Sequence, residues 1–69
     1  MPLVFAKIGD ELEVKRVGGT PEFKKHLEDM GFVPGAVVKI ISTINGSLIV
    51  NIKDSRIAVS REMAEKIMV

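Results

Sequence analysis

Sixty-nine residues with three Phe and no Trp, Tyr or Cys leave room for one domain over 1–69, without a second core, a disulfide framework or a thiolate metal site. Ten Lys or Arg against nine Asp or Glu give a net charge of +1. The signs are interspersed, so no basic stripe exists to neutralise a phosphate backbone, and nucleic acid is not expected as a partner.

In chain order, Leu3 to Ala6 reads as a short first strand and Ile8-Gly9-Asp10 as a turn. Leu12, Val14 and Arg16 then alternate with Glu11, Glu13 and Lys15, the pattern of a half-buried strand, which Gly18-Gly19 breaks. Thr20-Pro21-Glu22 opens a helix running to about Met30, with threonine as N-cap, proline in the first helical position and an acid near the positive dipole end. Phe23, Leu27 and Met30 recur at i, i+4 and i+7 and share its apolar face. Gly31 stands where a helix commonly leaves through positive φ. Val33-Pro34-Gly35 is a tight turn, with proline presetting its own φ and glycine taking the position that needs φ above zero.

Ala36 to Thr43 and Ser47 to Lys53 form a hairpin around Asn45-Gly46. A two-residue loop would pair Ile41 with Val50. A three-residue loop, Ile44-Asn45-Gly46 with Gly46 left-handed, pairs Val38 with Ile52, Ile40 with Val50 and Ser42 with Leu48. The second register makes the cleaner apolar face and is the one expected. Asp54-Ser55 is a further turn and Arg56 to Val59 a further strand. Ser60 caps a short helix over Arg61 to Lys66, and Ile67-Met68-Val69 closes as a last strand. Nine Val and eight Ile suit pleated sheet, and about five short strands with two small helices suggest a mainly β, strongly bent barrel. Below roughly 70–80 residues a core rarely supplies more than about 3–5 kcal/mol, which favours an edge-poor architecture or a partner surface. No apolar run is long enough to span a membrane and no secretory signal begins the chain, so a cytoplasmic domain without membrane insertion is expected.

Reactive side chains are few. Glu22, His26 and Asp29 fall on one helix flank and are acceptable ligand types for a divalent cation, but an ordinary solvated ion-pair face has the same composition, and no metal site or cofactor is expected. Ser42, Ser47, Ser55 and Ser60 occupy strand, turn or cap positions away from the one histidine, so no nucleophile has a base beside it and no catalytic residue is assigned. Gly18-Gly19 lacks the lysine of a P-loop. In the expected register Ile41 lies opposite Ile49 with Val37 on the same side; this aliphatic set is either covered as the barrel closes or exposed as an interaction patch. Lys24, Lys25 and Glu28 on the helix, with Ile41 and Ile49, are the candidate partner contacts.

Leu27-Glu28-Asp29-Met30-Gly31-Phe32-Val33-Pro34-Gly35, together with Gly9 and the Leu12–Val17 segment, Val37–Ile41, Arg56-Ile57-Ala58-Val59 and the ending Ala64-Glu65-Lys66-Ile67-Met68-Val69, resembles the FeoA family, ferrous iron transport protein A. Leu27, Met30, Gly31, Pro34 and Gly35 form its structural signature here. The resemblance implies a cytoplasmic SH3-like barrel of about five to six strands with two short helices. It implies an accessory role in bacterial ferrous iron uptake, through contact with the cytosolic GTP-binding region of the transporter FeoB, with self-association compatible. The chain departs from the family pattern at His26, where arginine is frequent, and at Val59, where leucine is usual. A related domain ends iron-dependent repressors of the diphtheria-toxin-repressor type, so a regulatory repressor domain is the alternative, and a divalent-metal-responsive module another. A start methionine and a whole barrel in 69 residues lead us to expect a free-standing chain.

Overall fold

The strand expected over residues 11–16 turns a corner halfway. In the structure, a computed structural model that describes residues 1–69, β1 (Glu11–Glu13) pairs antiparallel with β3 (Val37–Ile44), whereas β2 (Arg16–Val17) pairs with β6 (Ile67–Met68). Val14 N–H still donates to Ala36 O on the β3 side, but Lys15 N–H donates to Met68 O, each at 2.8 Å. Changing sheets resets the inward phase: Val14 and Val17 are buried, and Arg16, expected on the face of Leu12 and Val14, is exposed.

With β4 (Ser47–Ile52) and β5 (Ser55–Val59) the larger sheet has the order β1-β3-β4-β5, and β2-β6 forms the smaller. Six strands, α1 (Pro21–Asp29) and α2 (Arg61–Lys66) make the mainly β bent barrel that the sequence suggests. Its core includes Val38, Ile40, Leu48, Val50 and Ile52 from the two central strands, Leu27 and Phe32 at the α1 exit, and Val59, Ala64 and Ile67 from the last third. No polar side chain is buried among them.

Residues 3–6 are not a strand. Phe5 N–H donates to Pro2 O at 3.1 Å and Ala6 N–H to Leu3 O at 2.9 Å, closing a single turn of 3-10 helix over Leu3–Phe5. Extended pairing belongs instead to the two residues before it: Val69 N–H donates to Met1 O at 2.8 Å, and Pro2 bridges Met68. A strand would put Leu3 and Phe5 on one face. The tight turn separates them, leaving Leu3 fully buried and Phe5 68% exposed.

The α1 boundaries follow from local chemistry. Thr20 Oγ1 accepts from Phe23 N–H at 3.2 Å, satisfying a donor that the helix start would leave orphaned. At the exit Gly31 has φ +106°; its N–H donates to Glu28 O at 2.9 Å and Phe32 N–H to Leu27 O at 3.0 Å. These are the two bonds of a Schellman motif, and its accompanying apolar contact is supplied by Leu27 and Phe32, both fully buried. Ala36 N–H then donates to Val33 O at 3.0 Å across Pro34-Gly35, with Gly35 at φ +92° as a type II turn requires. Ser60 Oγ caps α2 in the same way as Thr20 caps α1, accepting from Met63 N–H at 3.3 Å.

The β3–β4 hairpin keeps the expected pairs Val38–Ile52 and Ile40–Val50, but not by the expected device. The loop is the two-residue one, Asn45 and Gly46 at φ +48° and +85°, and the extra residue sits within β3, where the register shifts between Ile40 and Ser42. Ser42 therefore pairs with Ile49 and Thr43 with Leu48; Ile41 has no partner opposite it. Two left-handed residues match the strand twist, so the turn is satisfied by Asn-Gly alone, and a bulge at Ile41 adds the bend a small barrel needs. The next turn lies one residue earlier than expected, at Lys53-Asp54 (φ +50° and +64°), with Ser55 already in β5. That register opposes Leu48 to Val59 and Val50 to Ile57, so inward apolar residues meet across the ladder.

Candidate partner-docking surface

The reactive side chains are dispersed. Glu22, His26 and Asp29 all lie on the exposed side of α1, no hydrogen bond ties them together, and no group of three or more His, Asp or Glu is gathered as a cation would need. Ser60 Oγ is engaged in its cap, and no serine hydroxyl is hydrogen-bonded to His26. Among charged groups the one ion pair is Arg61 with Glu65, 3.6 Å apart on adjacent turns of α2 and largely exposed, so it contributes little to stability. The arrangement offers contacts, with no assembled proton relay or ligand cage.

The candidate contacts occupy two elements. Lys24, Lys25 and Glu28 project from α1 into solvent; Ile41 and Ile49 are half-buried on the outer side of the β3–β4 ladder. Ile41 does not face Ile49 as expected, because the bulge moves Ser42 into that position, yet both isoleucines still border one outer row, Ser42–Ile49–Ala58, that crosses to β5. Val37, at the other end of β3, is 59% exposed. Nothing in the strand pairing joins the α1 residues to this row.

A groove escaped the sequence reading. It has a volume of about 720 Å³ and lies between the 3-10 turn, the tip of the β3–β4 hairpin and α2, lined by Val4, Phe5, Thr43, Leu48, Arg61 and Glu65 among others. Phe5 stands at its margin, and Ile44 beside the hairpin tip is 56% exposed. The turn, which sends Leu3 inward and Phe5 outward, builds this rim; a strand over residues 3–6 would set both side chains on one face.

A family model described as the FeoA domain matches residues 1–69. A Methanocaldococcus jannaschii protein named for Fe(2+) transport, transport protein A, is 41% identical over 68 residues, which are 99% of this chain and 83% of that protein. The solution structure of FeoA from Chlorobium tepidum superposes with a TM-score of 0.89 at 31% identity, over 99% of this chain and 67% of that one. FeoA of Stenotrophomonas maltophilia, complexed with zinc and described as a prokaryotic SH3 domain protein, has a TM-score of 0.87 at 21% identity over 100% of this chain and 88% of its own, a likeness of fold. So is the TM-score of 0.87 with a manganese-dependent transcriptional repressor, 17% identical over 97% of this chain and 39% of the repressor. The mainly β barrel is thus SH3-like, and from the family model and the archaeal relative together the chain belongs to the FeoA family of ferrous iron transport proteins.

Proposed function

We propose that this chain works as one domain over 1–69 and is a cytoplasmic accessory component of ferrous iron uptake. It acts by protein–protein contact with the cytosolic GTP-binding region of a FeoB-type transporter and carries out no catalysis. The observation that carries the reading is the division of labour in the surface. Titratable side chains are exposed, Asp10 alone being half-buried, and separate apart from the Arg61–Glu65 pair, while apolar ones (Phe5, Val37, Ile44 and the half-buried Ile41 and Ile49) lie outside the core. Scattered surface apolar residues are ordinary, but a rimmed groove and an aliphatic row on so small a body fit association. The proposed contacts are Ile41 and Ile49 on the sheet with Lys24, Lys25 and Glu28 on α1.

Calorimetry of the purified chain against the GTP-binding region of the transporter from the same organism tests this, in nucleotide-free, GDP-bound and GTP-analogue-bound states. Saturable binding in at least one state is expected, weakened by Ile49→Asp. A flat titration in all three states would sink the proposal. A metal-responsive role draws on the zinc held by the Stenotrophomonas relative; here it would have to use Glu22, His26 and Asp29. Stoichiometric Zn2+ or Fe2+ binding that is lost in His26→Ala would establish that role instead.

A further inference from the structure

Strand β5 ends the larger sheet, and its outer edge is open. The Lys53-Asp54 turn has two residues, so the flanking pair Ile52–Ser55 exchanges both ladder hydrogen bonds, and so do Val50–Ile57 and Leu48–Val59. The alternate residues, Arg56 and Ala58, direct their N–H and C=O groups away from β4. Neither backbone has a partner elsewhere in the chain, and both residues are exposed. No bulge or proline interrupts this edge, devices by which natural sheets commonly protect one.

We infer that the β5 edge is where the partner docks, by adding an extended segment bearing acidic side chains as a fifth strand beside Arg56 and Ala58. The inference rests on the docking role proposed above and names its geometry. Two observations choose the occupant. The first is continuity: the outer row Ser42–Ile49–Ala58 runs from the proposed contact residues straight to this edge, so an added strand would extend it by one more side chain. The second is charge. Along the Lys53-Asp54 turn and β5 the edge carries Lys53 and Arg56 against Asp54, a local excess of one positive charge, and Arg56 has no ion-pair partner. A cross-strand acid opposite Arg56 would supply one.

A second copy of this chain fits the edge poorly. Antiparallel pairing centred on Arg56 sets two guanidiniums face to face, and centring on Ile57 sets them diagonally across. Centring on Ser55 would oppose Arg56 to Asp54, but Asp54 is held at φ +64° in the turn. Centring on Ala58 draws in Ser60, whose carbonyl already accepts from Ala64 N–H at 2.9 Å. Arg56 thus discourages homotypic pairing and favours a foreign acidic strand.

Amide hydrogen exchange followed by NMR tests the geometry, with the GTP-binding region of the cognate transporter as the probe. In the free chain Arg56 and Ala58 amides should exchange fast and Ile57 slowly. On complex formation the first two should be protected by about tenfold or more, because they enter a new ladder. Ala58→Pro removes an outward donor without touching the β4 ladder, and Arg56→Glu reverses the charge. Each should weaken binding by about tenfold or more while thermal melting of the free chain stays cooperative. If Ala58→Pro fails to fold, Arg56→Glu and the wild-type protection pattern still decide. Saturable binding with unchanged exchange at Arg56 and Ala58 overturns the docking geometry alone; no binding in any nucleotide state overturns the functional reading and the geometry with it. Protection of these amides in the chain by itself, rising with concentration, would show a second copy on the edge and overturn the acidic partner.

Discussion

Strand β4 is paired on both sides, and its two ladders differ in a way that their turns do not. Toward β5 the register is unbroken from Ile52–Ser55 to Leu48–Val59; toward β3 it shifts by one residue at Ile41. Both turns are two-residue loops with both φ values positive, yet one is Asn45-Gly46, whose side chains favour that backbone, and the other Lys53-Asp54, of which only the aspartate tolerates it readily. The irregularity therefore lies beside the favourable turn, and the regular ladder beside the strained one. Two different turn chemistries thus hold loops of the same length. The curvature that closes a barrel is set by the packing of the two central strands, and the bulge is placed where the core face can absorb it.

This contrast can be broken at neighbouring positions. Ile40 is 1% exposed and pairs with Val50, whereas Ile41 is half-buried at the bulge. Ile40→Ala should destabilise by about 2–5 kcal/mol, as much as a core of this size supplies, so the variant should be largely unfolded in a urea titration at 25 °C. A midpoint near that of the parent protein would mean that the register around Ile40 is wrong. Gly46→Ala meets no atom within 4 Å, so its expected loss of about 1 kcal/mol comes from φ +85° alone. The reverse change at the other turn, Lys53→Asn with Asp54→Gly, should raise stability by about 0.5–1 kcal/mol and the melting temperature with it. No gain would indicate that Lys53 makes a compensating contact in solution. Ile41→Ala should cost about 0.5–1 kcal/mol, well below the Ile40→Ala loss, while weakening partner binding in the same calorimetric experiment. A large stability loss there would place Ile41 in the core instead of on the outer row.

Segments whose structure is set by neighbours in sequence are legible in the sequence itself. Thr20 and Ser60 were readable as caps, Gly31 as the helix exit, Pro34-Gly35 as a turn, and Val38, Ile40, Val50 and Ile52 as one inward face, because each depends on bonds or periodicities spanning a few residues. The candidate contacts on α1 were legible only as exposed positions. Their relation to Ile41 and Ile49 was not, since it depends on how separate elements pack.

Tertiary structure alone decided the rest. Whether Leu3–Phe5 extends or coils depends on whether a strand edge is free to receive it, and Met1 and Pro2 take the place beside β6. The sheet change at Val14–Lys15 and the bulge at Ile41 answer to closure of the barrel, a condition imposed by residues dozens of positions away. The groove beside Phe5 and the open β5 edge arise from the same distant pairings, so the sequence determined the parts of this protein, and the long-range ladders decided which surfaces were left without a partner.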